Sequence, residues 1–340
     1  MTLLARPAFA YIDGRLASGL VEVRHDLAAL DEPGFWVVVV TFEGDITCAR
    51  FADVREVSLP AATWSGPSRR EWTSSLDRDG YVGGVETIRS LIEQGTVYQV
   101  NLCRVLSARS DAADLAGLAT VLAAGHPSRY PALVCMPETG VHVCSASPEL
   151  FLSRNHVDGA DVIVTRPIKG TGRTAGDISQ KDRAENVMIV DMARNDLSRV
   201  ATTGSVDVPS LCELEEYPGL VHLVSTVSAT LIPGVTWAQI FAATFPPASV
   251  SGAPKSSALR IISELEPVAR GPYCGAIGWV DADQRTASLA VGIRTFWLDA
   301  GQLRFGTGAG ITWGSDPQAE WAETELKAEL LVGLASRADG

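Results

Sequence analysis

The stretch "LRFGTGAGITWGSDPQAEWAETELKAELL", residues 303 to 331, predicts a glycine-rich strand followed directly by a long helix. The helix should extend from about Pro317 to Ala335, because proline is favoured in the first helical turn. Four polar residues occupy one face of it at i, i+3, i+4 and i+7: Glu320, Glu323, Thr324 and Lys327. Such spacing alone is typical of a solvent-exposed face with salt bridges. The preceding glycines, however, let the backbone approach a bound group and could direct N–H groups at an anion.

Outward from this stretch, strands and helices occur in blocks and do not alternate strictly. The predicted strands include residues 35–44, 97–108, 141–153, 160–168, 286–299 and 303–313. The predicted helices include residues 81–95, 112–125, about 179–199, 236–245, 254–267 and about 317–335. This order predicts an α+β fold of layered, largely antiparallel β-sheets flanked by helices.

The chain divides into two predicted regions. Residues 1–79 form an abbreviated, β-rich N-terminal region that packs on the core, and residues 80–336 form the main domain. The segment at 60–80 is rich in proline, serine, glycine and charge, which is typical of a connector.

Composition and charge exclude several classes of partner. The 340 residues are 46% hydrophobic and 20% charged, as in a globular protein with a substantial core. The formal charge of 28 − 40 = −12 argues against nucleic acid and anionic membranes as partners. An anionic substrate stays possible where a few cationic side chains or a bound metal ion reverse the field inside one cleft.

The sequence also predicts a cytoplasmic protein. The N-terminus lacks the apolar core of a signal peptide, and no apolar run approaches the roughly 20 residues of a membrane span. The six cysteines form no CxxC pair and have no histidine cluster beside them, so buried thiols in a reducing compartment are expected.

A second predicted helix, at about 179–199, carries a carboxylate on an apolar stripe. Glu185 shares that stripe with Ile189 and Met192. A buried carboxylate is costly unless it is paired or bound to a cation, and a salt bridge with Arg183 is the ordinary alternative. Two helices that each offer glutamate to the interior would suit Mg²⁺.

Three further side chains have open interpretations. Arg294 lies inside the predicted apolar strand 286–299, where a guanidinium needs an anionic partner from the protein or from a ligand. His222 lies in an alternating strand pattern that ordinarily gives a half-exposed histidine. Lys169, in "VTRPIKGTGRT" at 164–174, is the solvated end of a strand, a phosphate contact or a nucleophile.

The motifs taken together resemble one family, the chorismate-utilising enzymes, which includes anthranilate, aminodeoxychorismate, isochorismate and salicylate synthases. The motifs are "YQVNL" (98–102), "SPELF" (147–151), "RPIKGT" (166–171), "AENVMIVDMARNDLSRV" (184–200), "HLVSTV" (222–227), "SVSGAPK" (249–255), "GPYCGAIGW" (271–279), "GIRT" (292–295) and "GAGITWGSDPQAEWAET" (308–324). The resemblance covers about residues 80–335 and implies one large α+β domain with the active site between its sheets.

The resemblance implies a metal ion, substrate contacts and a proton donor. It implies Mg²⁺ held by Glu185, by Glu320 directly and by Glu323 directly or through water. It implies that Glu149 is the general acid for the departing C4 hydroxyl of chorismate. The implied contacts to the two chorismate carboxylates are Gly170, Thr171, Tyr273, Arg294, Lys327 and the amides of Gly308, Ala309 and Gly310.

Two positions bear on the product. Water-adding members of the family resemble one another in a lysine where this chain has Gln99, so hydration to isochorismate is disfavoured. The "PIKGT" motif resembles aminodeoxychorismate synthase component I of the p-aminobenzoate and folate branch, which implies that Lys169 attacks chorismate covalently before ammonia adds at C4. The alternatives are anthranilate synthase component I, an aminodeoxyisochorismate synthase, or a non-catalytic chorismate-binding subunit.

The resemblance also implies a partner. The chain contains no glutaminase nucleophile motif, so ammonia is expected from a separate glutamine amidotransferase subunit, in a heterodimer. His222 is expected to assist with the leaving group or with ammonia.

Overall fold

The computed structural model describes residues 7–172, 174–217 and 220–337, and its strands join one continuous sheet. Residues 1–6 of the predicted N-terminal region lie outside the described part. In chain order the strands are β1 (Phe9–Ile12), β2 (Arg15–Arg24), β3 (Phe35–Val40), β4 (Ile46–Glu56), β5 (Thr73–Ser74), β6 (Gln99–Arg109), β7 (Tyr130–Met136), β8 (Val141–Ser147), β9 (Leu150–Val157), β10 (Ala160–Arg166), β11 (Ile168–Gly172), β12 (Asp207–Tyr217), β13 (Leu220–Thr230), β14 (Gly252–Ala253), β15 (Ala276–Asp281), β16 (Thr286–Val291), β17 (Thr295–Asp299) and β18 (Gln302–Ile311). The α-helices are α1 (Arg78–Glu93), α2 (Ala116–Gly125), α3 (Gln180–Ser198), α4 (Trp237–Thr244), α5 (Lys255–Leu265) and α6 (Pro317–Ala335).

The strand pairings within the described residues are antiparallel and follow one path. A first half runs β12-β13-β10-β9-β16-β15-β3-β4-β2, with β11 pairing on β13 beside β10. A second half continues β1-β7-β8-β17-β18-β6, and β5 and β14 pair on β6. The predicted α+β class with largely antiparallel strands flanked by helices is confirmed. Because β1 pairs with β7 and β3 with β15, the first strands belong to the same sheet as the rest.

The helices cover different parts of this sheet. The largest apolar cluster combines strands of both halves with α3 and α4, and includes the fully buried Trp36 and Leu289. A second cluster joins α2 and α6 to the second half around Phe296, and a third joins α1 and α5 to β6 around Leu102. Each such side chain contributes about 1.5–3 kcal/mol by leaving water, so these clusters hold the helices on the sheet.

Side-chain caps fix where α3 and α6 begin. Ser179 accepts from the Asp182 amide, and the Asp182 carboxylate accepts in return from the Ser179 backbone. Asp316 accepts from two amides of the first turn of α6, which opens with Pro317. Both predicted helices are confirmed, and their first turns carry the side chains that meet at the site described below.

Two predicted strands are divided by a short connection. The predicted strand 286–299 is β16 and β17, and Arg294 lies between them with a left-handed φ of 52°. The prediction that Arg294 lies inside a strand is therefore wrong. Glu149 similarly separates β8 from β9. Each pair of strands passes from one half of the sheet to the other, and the backbone leaves the ladder at that crossing.

The two crossings lie side by side. The Val291 amide donates to the Glu149 carbonyl at 3.0 Å, and the Ala146 amide donates to the Arg294 carbonyl at 3.0 Å. Hence one acidic and one basic side chain are brought together from distant parts of the sequence.

Across the described ranges, no helix combines the length and the apolar character needed to cross a bilayer.

Candidate active site

The two ends of the sheet meet at Lys169, which lies on β11. Its Nζ donates to the Ser249 carbonyl at 3.1 Å. A Cβ added to Gly310 of β18 would lie 3.6 Å from that Nζ and would overlap the Gln99 amide nitrogen. Gln99 is buried, and its Oε1 has no hydrogen-bond partner among the described residues. Lys169 and Gln99 therefore converge over a position that only glycine leaves open.

A row of glycines on β18 forms the floor of this site. Gly306, Gly308 and Gly310 alternate along the strand and so share one face. The Tyr273 ring lies directly over Gly306, and the Cys103 Sγ would be 2.6 Å from a Cβ on Gly308. The absent side chains thus admit groups from other elements to the surface of the strand.

The ladder between β6 and β18 determines which glycine amides are free. The Asn101 amide donates to the Ser251 carbonyl and the Cys103 amide to the Glu266 carboxylate, both at 2.8 Å and both away from β18. Since opposed residues alternate between bonded and non-bonded pairs, Gly310 and Gly308 also direct their N–H groups away from β6.

The other edge of β18 pairs with β17 only as far as Phe305, so these two amides face an open edge. Ala309 opposes Leu102, and its amide belongs to the ladder. Of the three amides predicted to contact substrate, those of Gly308 and Gly310 are placed to do so and that of Ala309 is not.

Two histidines lie near Arg294. Its Nη1 donates to the His126 Nε2 at 2.9 Å, which requires a neutral ring. Burial, together with the nearby charge of Arg294, lowers the pKa of His126 to about 4. Burial likewise lowers the pKa of His222 to about 4, with contributions from Arg294 and His126, and its Nδ1 shares a 2.8 Å hydrogen bond with the Thr171 hydroxyl.

Arg294 itself stays charged at neutral pH, because burial lowers its pKa only to about 10, against the opposing effect of Glu149. The charge is not neutralised by a neutral imidazole, so it is available to an anion. Sequence reasoning missed His126, since a single histidine before a proline in "GHPSRYP" has no distinguishing pattern.

Glu149 has the properties of a proton donor. The side chain is 4% exposed. Burial raises its pKa to about 7, although the Ser249 hydroxyl, Lys169 and Arg294 all lower it. A carboxyl with a pKa near the working pH transfers a proton most effectively.

The carboxylates of α3 and α6 converge on one ammonium group. The Lys181 Nζ lies 3.0 Å from Glu320 and 3.7 Å from Glu185. Glu320 is buried, and burial raises the pKa of Glu185. The alternative partner considered for Glu185 was Arg183, and the structure places Lys181 there instead. The sequence did indicate this geometry, since Lys181 precedes Glu185 by one helical turn.

Glu323 and Lys327 form an ion pair at 2.6 Å on the outer side of the cluster. The Lys327 Nζ also donates to the Gly308 carbonyl at 3.1 Å. Burial raises the pKa of Glu323, but Lys327, Lys181 and Lys169 outweigh it, and the net pKa is lowered.

The carboxylate pair fits the predicted Mg²⁺. Within the described ranges, no three histidine, cysteine or acidic side chains form a metal-binding group. Glu185 and Glu320 nevertheless already face one cation, and Mg²⁺ commonly takes one or two carboxylates with waters and substrate oxygens. Lys181 is half exposed and could leave that position. The two glutamates are therefore the residues that would hold Mg²⁺.

Gly170 packs against the first turn of α3, whereas Tyr273 is buried in the core. Gly170 has a left-handed φ of 79°, and a Cβ there would lie 2.9 Å from the Asp182 Cβ. This close packing seats β11 on the first turn of α3. Tyr273 is buried in the core, and its hydroxyl accepts from the Cys103 thiol at 3.9 Å.

The fold and this site define a class of protein. Residues 36–333 match the model of the chorismate binding enzymes, and the chain belongs to that family. It is 37% identical over 279 residues to an anthranilate synthase component 1 of Haloarcula marismortui, covering 78% of this chain and 55% of the relative.

Other relatives have different names at similar identity. The chain is 36% identical over 308 residues to the aminodeoxychorismate synthase component 1 of Klebsiella aerogenes, covering 86% of this chain and 66% of the relative. It thus spans about half to two thirds of the length of these relatives. The solved anthranilate synthase component I of Streptococcus pneumoniae superposes with a TM-score of 0.79 at 25% identity, covering 98% of this chain and 94% of that one.

Proposed function

We propose that the chain is the chorismate-converting component of an aminodeoxychorismate synthase, which forms 4-amino-4-deoxychorismate from chorismate and ammonia. The observation that carries the proposal is the position of Lys169. Its amine lies over the Gly310 backbone beside Gln99, and it acts electrostatically on the buried Glu149. A nucleophile and a proton donor thus border the same space.

The proposed reaction has two substitutions. The Lys169 amine bonds to C2 of chorismate, both ring double bonds shift, and the C4 oxygen leaves as water with the proton of Glu149. Ammonia then bonds to C4, both double bonds return, and the C2–nitrogen bond breaks to release Lys169. The net change is chorismate plus ammonia to aminodeoxychorismate plus water.

The remaining side chains bind and orient the dianion. Arg294 offers a positive charge whose hydrogen-bond partner, His126, is neutral, and the Gly308 and Gly310 amides offer donors along the open edge of β18. Mg²⁺ on Glu185 and Glu320 would supply the positive charge that binds the ring carboxylate. Thr171 and His222 form a neutral pair within electrostatic reach of Arg294.

Gln99 distinguishes this chemistry from hydration. Its amide cannot remove a proton from water, so the site has no base at that position for isochorismate formation. A separate subunit would supply ammonia, in line with the "component 1" names of the relatives. The product would serve p-aminobenzoate and folate synthesis.

The test begins with the purified chain, chorismate, Mg²⁺ and an ammonium salt. Chromatography with mass detection should show 4-amino-4-deoxychorismate. Omitting ammonium should leave a chorismate-derived adduct on the peptide that contains Lys169. Lys169→Ala should abolish both, and Lys169→Arg, which keeps the charge without a good nucleophile, should do the same.

Each other product contradicts the proposal in a different way. Anthranilate with pyruvate would identify an anthranilate synthase, as the name of the Haloarcula relative allows. Isochorismate would show that water is activated without a lysine at position 99. Chorismate binding without turnover would identify a non-catalytic subunit. Unchanged amination by Lys169→Ala would exclude the covalent step.

A further inference from the structure

A small cavity lies beside Glu149, lined by residues of β9, of α3 and of the segment 247–249. We propose that this cavity holds water which links Glu149 to the ion pair of Asp196 and Lys255, and that this water returns a proton to Glu149. The inference rests on the proposed role of Glu149 as the acid.

The cavity has the size and the lining of a water site. Its volume is about 30 Å³, and a water molecule needs roughly 10–15 Å³ measured in this way, so one or two fit. Its lining is largely apolar, from residues such as Phe151 and Ile189. Its polar lining consists of Glu149, Thr165, Asp196, Thr244 and Ser249.

Ser249 is 6% exposed, and its hydroxyl is close enough to Glu149 to lower the pKa of that carboxyl, but it makes no well-formed hydrogen bond to any described residue. Buried hydroxyl groups in folded proteins are nearly always paired with protein or with ordered water. Since Ser249 and Glu149 both line the cavity, one water molecule can serve both.

Asp196 and Lys255 form the end of the proposed relay that lies away from Glu149. The Lys255 Nζ donates to the Asp196 carboxylate at 2.8 Å and to the Thr244 carbonyl at 3.0 Å. They belong to the motifs "AENVMIVDMARNDLSRV" and "SVSGAPK", and neither of these two side chains has a part in the site described above. Lys255 remains one-fifth exposed, so the pair reaches solvent.

The charged groups around both ends favour proton exchange. Burial raises the pKa of Asp196, against Lys255 of α5, Arg199 at the C-cap of α3 and Asn195, which lower it. At the other end, Lys169 of β11 and Arg294 face Glu149. Both carboxyls are therefore more easily protonated than exposed ones.

The proton follows a balanced path. After Glu149 has protonated the departing hydroxyl, its carboxylate takes a proton from the cavity water. That water takes a proton from Asp196, which solvent beside Lys255 has first protonated, and Asp196 thereby returns to the carboxylate that pairs with Lys255. No group gains or loses a net proton over a cycle except by exchange with solvent.

The experiment uses infrared spectroscopy of the full chain. The difference spectrum between the wild type and Glu149→Gln isolates the Glu149 carboxyl band, and mixing with D₂O gives its exchange rate. Asp196→Asn should slow that exchange, and Asp196→Glu should largely restore it. Asp191→Asn is the matched control, because Asp191 lies on the exposed side of the same helix and pairs with Arg194.

Two further variants test the relay while keeping the Asp196–Lys255 ion pair, in case Asp196→Asn fails to fold. Ser249→Ala removes a hydroxyl that borders Glu149 in the cavity, and Ala193→Val narrows the cavity while leaving the ion pair intact. Both should also slow exchange. In steady-state assays, Asp196→Asn should lower kcat roughly tenfold and leave KM for chorismate nearly unchanged.

The outcomes separate this inference from the proposed function. Exchange that is equally fast in Asp196→Asn, Ser249→Ala and Ala193→Val overturns the relay, whatever the enzyme makes. If the wild type forms no aminodeoxychorismate, the proposed function fails, and the exchange rates still decide whether the water link exists. Slow exchange in the three variants with an unchanged kcat contradicts the relay's role in turnover.

Discussion

The Arg294 guanidinium donates to the His126 Nε2 at 2.9 Å, and the ring that accepts this bond must be neutral. Arg294 sits at a strand crossing with a left-handed backbone, far from His126 in the sequence. A charge-neutral partner holds the guanidinium in place without cancelling its charge. This arrangement suits an arginine that must bind an anionic substrate.

The first prediction removes that neutral partner. His126→Ala should raise KM for chorismate about tenfold, with a smaller effect on kcat, because an arginine that is poorly oriented binds a carboxylate less well. His126→Gln keeps an acceptor and should recover much of the affinity. His25→Ala is the control, since His25 is exposed and bonds to the Ile46 carbonyl. Steady-state kinetics with an unchanged KM in His126→Ala would contradict the role of His126.

The second prediction tests the glycine floor. Gly310→Ala should place a methyl group against the Gln99 amide and 3.6 Å from the Lys169 amine, so the reactive space is filled. We expect a loss of activity of about a hundredfold or more with a folded protein. Gly314→Ala is the matched control, because a Cβ there meets nothing within 4 Å. Comparable activities of the two variants, at similar thermal stability, would contradict this picture.

The sequence predicts the helices and their carboxylates well, and it fails where the chain crosses between the halves of the sheet. The capping residues and the i, i+3, i+4 spacing specify α3 and α6 locally, so the sequence already places Glu185 and Glu320 on helix faces that turn toward the interior. Local patterns do not show that strands stop at Glu149 and Arg294, because both crossings are set by pairing with distant strands.

Side chains that act only through tertiary contact are equally hidden. His126 belongs to the site only because Arg294 donates to it. The Gly308 and Gly310 amides face the open edge, and the Ala309 amide does not, because of how the amides of the opposite strand are bonded. Neither relationship leaves a recognisable pattern in the sequence. Lys181 is different, since it lies one turn before Glu185 and could have been read from the helix spacing.

The third prediction concerns pH and stability. Burial raises the pKa of Glu149 from its ordinary 4.5 to about 7, so the folded state binds more protons than the unfolded state between these values. Its contribution to the free energy of unfolding is therefore present at low pH and is lost as the pH rises from 4.5 to 7, by up to about 3 kcal/mol.

Glu149→Gln removes this titration. Urea unfolding should show the variant gaining stability relative to the wild type as the pH rises from 5 to 8. The pKa values of His126 and His222 are lowered, chiefly by burial, to about 4. Both proteins therefore lose folding stability equally as the pH falls below about 6.5, and the comparison between them cancels this loss. A difference between the two proteins that does not vary with pH would contradict the raised pKa of Glu149.

The fourth prediction addresses the support behind β6. Glu266 accepts from the Cys103 amide and pairs with Arg270, which also donates to the Asn101 carbonyl at 2.7 Å. Glu266→Ala leaves a buried guanidinium unpaired and should lower the free energy of unfolding by about 3–5 kcal/mol. Glu264→Ala breaks only the exposed pair with Arg260 and should cost less than about 1 kcal/mol. Similar losses in the two variants would contradict the buried pair's contribution.

The last prediction concerns the cation between Glu185 and Glu320. The Lys181 ammonium lies where both carboxylates can reach it, so it must move before Mg²⁺ can bind there. Lys181→Met removes this competing charge and should tighten Mg²⁺ binding by roughly tenfold, the factor that about 1.4 kcal/mol gives. Isothermal titration calorimetry with and without chorismate measures it. Arg183→Met is the control, because it removes an equal charge from an exposed position on the same helical turn. Weaker Mg²⁺ binding by Lys181→Met than by Arg183→Met would show that Lys181 supports the metal site and does not compete with it.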